Sequence, residues 1–232
     1  MKGPLAPAAS GLYPDTVQAH RQPDANGQPH AVLIAVMQKI GGYADDFLQF
    51  LKTEWLDAIV PDFFVPPTDR KKLELWQLCL ASCEDYFTRD SREYELLEKG
   101  IVLHHGKMPG LLARLLIQLI DEKIVNVVLA TSTLSEGVNL PFETVLIPSL
   151  LRGQNRLNTR EFRNLVGRAG RPGFGTEGRS LVLLPTKELG DSKSIKIDSA
   201  RKRYTDLIRD LGTGNTTSSE SISQSPLAEL LM

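Results

Sequence analysis

Apolar residues in this chain fall into two alternating patterns. Short, nearly uninterrupted apolar runs occur at Ala31–Val36, Ile101–Leu103, Val125–Ala130, Thr144–Pro148 and Ser180–Leu184. These have the length and character of buried strands. Between them, apolar residues recur every third or fourth position, which predicts helices. Tyr43, Phe47, Phe50 and Leu51 form one such stripe after Gly41-Gly42, and Leu73, Trp76, Leu80, Cys83 and Phe87 form another within 71–87. A third carries Leu111, Leu112, Leu115, Leu116, Leu119 and Ile120 behind Pro109, a residue suited to a first turn. Further helices are expected over 161–168 and 198–211. Strands that are apolar throughout and alternate with helices predict an α/β domain, a doubly wound, mainly parallel sheet with helices on both faces.

The same pattern sets the expected organisation. The sheet domain spans 31–190, with a helical insertion near 60–99 introduced by the break at Pro61, Pro66 and Pro67. Residues 1–30 are rich in Pro, Gly, Ala and Gln without periodicity and read as a flexible lead-in. A C-terminal helix over 191–211 precedes a Ser/Thr-rich tail or linker over 212–232. There is no internal repeat.

Composition narrows the class. With 232 residues, 41% hydrophobic and 24% charged, the chain can bury a core without disulfides or metals. Its 2 cysteines are too few for a disulfide framework. No apolar run approaches a membrane span, and the first ten residues make a poor signal peptide, so a cytoplasmic location is expected. A net charge of −1 argues against simple coating of nucleic acid. The distribution says more: 152–179 carries 7 arginines, no lysine, and only Glu161 and Glu177 as acids. Arginine without lysine suits bidentate recognition of phosphate or carboxylate, although a solvated basic face fits equally well.

Ligands of parallel sheets sit beyond the carboxyl ends of the strands. After the third run comes Thr131-Ser-Thr-Leu-Ser-Glu-Gly-Val-Asn-Leu-Pro141. Its hydroxyls and Gly137 could bring backbone amides close to a phosphate, or could merely cap a helix. After the fourth run come Arg152, Arg156 and then Asn164-Leu-Val-Gly-Arg-Ala-Gly-Arg171. Arg168 and Arg171 are three apart and are expected on one helical face, where they could steady the charge of a transferring phosphoryl group. Cys79, Cys83, His104 and His105 make a poor zinc set, because adjacent histidines on a strand point to opposite faces. No metal site is expected.

Taken together these segments resemble the second RecA-like domain of superfamily 2 helicases (the DEAD/DEAH-box class), particularly the Ski2-like group. Ala31–Val36 matches the region of motif IV. Gly100-Ile-Val-Leu-His-His-Gly-Lys-Met-Pro109 with Arg114 resembles the family's "G-[IV]-x-x-H-H-[AG]-x-x-P…R" segment. Thr131–Pro141 resembles motif V. Asn164–Arg171 resembles motif VI, "Q-x-x-G-R-A-G-R-P-G", with Asn164 in the usual glutamine place. The resemblance covers about residues 31–190 and implies roles. Arg168 and Arg171 would face the β- and γ-phosphates of ATP, and Asn164 would orient them or the attacking water. Gly137, Asn139 and Gly167 would lie near the nucleotide. Thr131, Ser132, His105 and Arg152 would touch the nucleic-acid backbone. The group also places a strand-separating hairpin between motifs V and VI, where this chain has the short stretch Leu150–Thr159.

A phosphate-binding loop, G-x-x-x-x-G-K-[ST], and an acidic D-E-x-[HD] box are absent from the sequence. ATP with Mg²⁺ is therefore expected to be held mainly by a first RecA-like domain, present in cis in a parent protein. The expected partners are that domain and single-stranded or partly duplex nucleic acid, with no membrane. On this reading the parent is an ATP-dependent DNA or RNA helicase and the fragment is inactive by itself. The alternatives are a non-enzymatic RecA-like binding or scaffold module, or a motor half completed by another chain in trans.

Overall fold

The computed structural model describes residues 12–22, 29–37, 39–53, 65–131, 140, 142–152, 155–170, 178–184 and 194–213. In chain order the elements are α1 (Leu12–His20), β1 (Val32–Val36), α2 (Ile40–Thr53), α3 (Arg70–Phe87), α4 (Arg92–Glu98), β2 (Ile101–His104), α5 (Gly110–Asp121) and β3 (Val127–Thr131). They continue with β4 (Thr144–Ile147), β5 (Leu151–Arg152), β6 (Asn155–Arg156), α6 (Thr159–Val166), β7 (Arg179–Val182) and α7 (Ser194–Thr213).

Five strands form one sheet in the order β2-β3-β1-β4-β7. All of its pairings are parallel, with Val32 beside both Val127 and Thr144, and Thr144 beside Arg179. The side-chain period of two splits the strands between two cores. Val32, Ile34 and Val36 face α1 and α2, where Leu12, Tyr13 and Phe47 are buried. Leu33 and Ala35 face the other side, with Cys79 and Cys83 of α3, Leu112 and Leu116 of α5, Phe162 and Leu165 of α6, and Leu207 of α7. Covering both faces explains why the central strands are apolar at every position. This is the doubly covered α/β sheet that the hydrophobic pattern predicts.

The structure departs from the sequence-based expectations at several points. The expected flexible lead-in does not hold for Leu12–His20, which is helix α1 with Leu12 and Tyr13 at 0% exposure. Tyr13 stacks on Phe47 with centroids 4.6 Å apart, and its hydroxyl donates to the Tyr43 carbonyl at 2.9 Å. Gly41-Gly42 does not precede α2 but lies inside it, and a Cβ on Gly41 would strike the Arg92 guanidinium. The third strand begins at Val127 rather than Val125, because the turn after α5 extends to Asn126. In that turn Lys123 has φ 52° and the Val125 N–H still bonds back to the Leu119 carbonyl.

Helix α6 is displaced toward the N-terminus of its expected range. Asn158 caps it, its Oδ1 accepting the Glu161 N–H at 2.8 Å, while Glu161 Oε2 accepts the Asn158 N–H at 3.0 Å. This reciprocal capping box fixes the start of the helix at Thr159. Its end falls at Val166, with Gly167 as C-cap. Arg168 therefore lies beyond the helix rather than on its face, and Arg171, the other arginine of the expected pair, lies outside the described residues.

Candidate functional site

The parallel sheet has two ends, and the residues singled out by sequence divide between them. At the carboxyl end, Thr131 closes β3 beside Val36 and is half-buried. His105 follows β2 directly. Its Nε2 donates to Glu93 of α4 at 3.3 Å and its Nδ1 accepts the Lys107 N–H at 3.3 Å. The Phe87 ring meets it edge-on at 6.2 Å. With both nitrogens engaged and its side chain 15% exposed, His105 ties β2 to α4. Burial pushes the Glu93 carboxyl up, but its hydrogen bond from His105 and the nearby charges of His105 and Arg92 hold it below its ordinary value overall. His104, the neighbour that faces inward, is kept below its ordinary value chiefly by burial.

A cleft of about 860 Å³ opens at this edge between the first turns of α2 and α4, lined by Lys39, Asp45, Arg92, Glu93, Glu95 and Lys107 among others. Three of its acids are already paired. Asp45 meets Arg92 at 3.4 Å, Glu95 meets Lys52 at 2.6 Å, and Glu93 meets His105. Sequence reasoning did not find this cleft, since it depends on two helix starts distant in sequence.

At the opposite, amino end of the sheet sits the turn carrying Arg168. Ala169 forms a parallel bridge with Phe142, two residues before β4. The Phe142 N–H donates to the Arg168 carbonyl at 3.4 Å, and the Gly170 N–H donates to the Phe142 carbonyl at 2.9 Å. Gly170 has φ 61°, a left-handed value that glycine adopts freely. Gly178, just before β7, packs so closely on the backbone of Ala169 and Gly170 that a Cβ would collide with both. The turn is thus held from two sides. Glu143 anchors the same end: 8% exposed, it accepts the Ala31 N–H at 2.6 Å, while its own carbonyl accepts the Arg179 N–H at 2.8 Å. No sequence signal marked this buried carboxylate.

Arg168 and Thr131 are therefore not brought together. The levels of Phe142 and Val36 differ by a span of strand amounting to roughly 20 Å. Asn164 and Gly167 are exposed, Asn164 in the last turn of α6 and Gly167 at its cap. Arg152 is exposed on β5, where its guanidinium donates to Glu161 at 2.7 Å. Ser132, Gly137, Asn139 and Arg171 lie outside the described residues. Between β4 and α6, β5 and β6 pair antiparallel as a hairpin, with Leu151 opposite Arg156 and Arg152 opposite Asn155.

Among the described residues no three His, Cys, Asp or Glu side chains are grouped to hold a metal ion, and no helix is long and apolar enough to cross a membrane. Cys79 and Cys83 lie in the core, where burial pushes both thiols up to about 12 and keeps them protonated. Neither the phosphate loop nor the metal-binding carboxylates that a nucleotide with Mg²⁺ requires are offered by the residues described.

No family model matches the chain. It is 34% identical over 110 residues to the Hachiman protein HamB of Bacillus cereus, covering 47% of this chain and 10% of that protein. It is 36% identical over 92 residues to the antiviral helicase SKI2 of Saccharomyces cerevisiae, covering 38% of this chain and 7% of that one. The ATP-dependent DNA helicase Hel308 of Pyrococcus abyssi is 33% identical over 125 residues, covering 52% and 17%. The matched segments span a small part of each relative's length. Over the matched part of its length, and on a mainly parallel RecA-like sheet, the chain is similar to helicases of the Ski2-like group of superfamily 2.

Proposed function

We propose that this chain is the second, C-terminal RecA-like half of an ATP-dependent nucleic-acid helicase motor. The observation that carries the reading is the division of the sheet into two working ends. The turn carrying Arg168 is braced at the amino end, and Thr131, with the residues that follow β1 and β2, lies at the carboxyl end.

The chemistry that ATP with Mg²⁺ supplies, when held by a first RecA-like domain, is transfer of a γ-phosphoryl group to water. This chain's part is electrostatic. Arg168 and Arg171 stabilise the charge spreading over the phosphoryl oxygens, and Asn164 orients those guanidiniums. Gly137, Asn139 and Gly167 leave room for the nucleotide. Thr131 and Ser132 contact backbone phosphates on the other edge, with Arg152 at the hairpin, and His105 acts there by positioning the β2 loop. Closing and opening against the first domain moves these contacts along one strand. The β5–β6 hairpin stands where the duplex would be parted.

The test is ATP turnover, with and without single-stranded nucleic acid. The isolated chain is expected to be inactive, and the full-length parent to show stimulated turnover. Arg168→Ala or Arg171→Ala in the parent is expected to lower turnover by a factor on the order of 10³. Unchanged turnover in both variants would remove the arginine-finger assignment.

A further inference from the structure

The hairpin is too small to fix its own posture. It has two residues in each strand, and a lone two-stranded ribbon is marginal in water. Its base is anchored: Leu157 is 0% exposed, and its N–H donates to the Leu150 carbonyl at 2.9 Å. Beyond the base, each strand carries one ionic tie. Arg152 of β5 reaches Glu161, whose other carboxylate oxygen closes the capping box of α6. Arg156 of β6 reaches Asp210 of α7 at 2.5 Å, with both side chains 31% exposed. Helix α7 is itself seated by Leu207, at 0% exposure in the core that holds Leu157, Phe162 and Leu165. Arg163 of α6 donates to the Leu211 carbonyl at 3.4 Å. Hairpin, α6 and α7 therefore form a closed triangle of contacts, and the far end of α6 leads within two residues to Arg168.

We propose that Asp210 is a positioning residue: by holding Arg156 it sets the β5–β6 hairpin against α6 and α7. This rests on the helicase reading above, in which the hairpin meets the duplex end. Paired half-exposed charges add little to global stability, so the tie acts on hairpin posture more than on folding.

The experiment measures binding of the full chain, at low salt, to a fluorescein-labelled single strand and to the same strand annealed into a fork, each as DNA and as RNA. The unaltered chain is expected to bind the fork more tightly. Asp210→Ala is expected to weaken fork binding by about fivefold, leaving the single-strand affinity and the thermal midpoint nearly unchanged. Exchanging the charges, Arg156→Asp with Asp210→Arg, is expected to restore fork affinity, which a change in folding alone would not do. Fork preference that survives Asp210→Ala, or falls with no recovery in the exchanged pair, overturns the positioning role while leaving the helicase reading intact. An unaltered chain that does not discriminate fork from single strand removes the hairpin reading, and this proposal with it.

Discussion

Gly178 lies against the backbone of Ala169 with no space for a Cβ, so the start of β7 and the turn after α6 are seated on each other. The contact is backbone on backbone and cannot be relieved by swinging a flexible side chain aside. Gly178→Ala is expected to displace the Arg168 turn and cost about 1–3 kcal/mol of stability, the usual penalty for overpacking. Urea denaturation measures the loss. In the parent protein the same variant is expected to lower ATP turnover with Arg168 still present. A Gly178→Ala chain as stable as the original would show that the turn is loosely held.

The amino end of the sheet depends on a buried carboxylate in the same way. Glu143 accepts the Ala31 N–H at 2.6 Å, and the Ala31 carbonyl accepts the Glu143 and Thr144 N–H groups at 3.1 and 3.2 Å. Glu143→Ala leaves the Ala31 N–H without its acceptor, at an expected cost of about 1–3 kcal/mol. Glu143→Gln keeps an amide oxygen in place and is expected to cost less than half of that. Comparing the urea midpoints of the two variants separates the hydrogen bond from mere loss of volume. Equal losses would mean that the acceptor is unimportant.

Much of this architecture was written in the periodicity. The five strands and the helices α2, α3, α5 and α7 follow from apolar runs and stripes, most plainly in β1, β2, β3 and β4, where burial on two faces leaves an unambiguous pattern. The motif residues were legible too, but not their disposition. Nothing in the spacing of Gly167, Arg168 and Gly170 shows that the helix stops at Val166. The capping box at Asn158 and Glu161, a signature present in the sequence as Asn-x-x-Glu, fixes only the start, and the end is closed by the Gly167 N–H on the Arg163 and Leu165 carbonyls. Helix α1 was hidden by the Pro- and Gly-rich residues around it, although Leu12, Tyr13, Thr16, Val17 and His20 have helical spacing. The engagement of His105 by Glu93 could not be read at all, since it joins a strand end to a helix start across the fold.

Two buried histidines give the protein a defined pH response. Burial lowers the affinity of His20 for a proton, against the opposing effect of its Nδ1–H bond to the His30 carbonyl, and burial together with the charge of His105 lowers that of His104. Both are free to protonate in the unfolded chain near their ordinary value of 6.5. Below that pH the unfolded state binds more protons than the native state, so stability falls as pH drops. The slope is at most about 1.4 kcal/mol per pH unit for each histidine. Glu93, held low overall, adds a loss of the same sign below its ordinary 4.5, as its carboxylate is protonated away from His105. Urea midpoints recorded from about pH 7.5 to about pH 5.5 should decline, and His20→Asn, which keeps a donor near the Nδ1 position, should flatten the decline. A midpoint rising toward acid pH would contradict the burial of both rings.

The start of α6 and the turn beyond its end can be separated by two substitutions. Asn158→Ala removes the acceptor of the Glu161 N–H and is expected to cost about 1 kcal/mol, whereas Asn158→Asp keeps that acceptor near a helix N-terminus and should cost little. Loss of the cap also loosens Glu161, the partner of Arg152, so the hairpin amides should exchange faster in Asn158→Ala. Gly170 lies past the other end of the helix at φ 61°, and Gly170→Ala is expected to cost about 1 kcal/mol through backbone strain alone. Because Phe142 and Gly178 hold that turn independently of the cap, the two losses should add in the double variant. Hydrogen exchange with mass spectrometry reads each end separately. Faster exchange at 150–157 in Asn158→Ala without change at 167–170, and the reverse in Gly170→Ala, is the expected result. Simultaneous loss of protection at both ends in either single variant would mean that α6 and the Arg168 turn unfold as one unit.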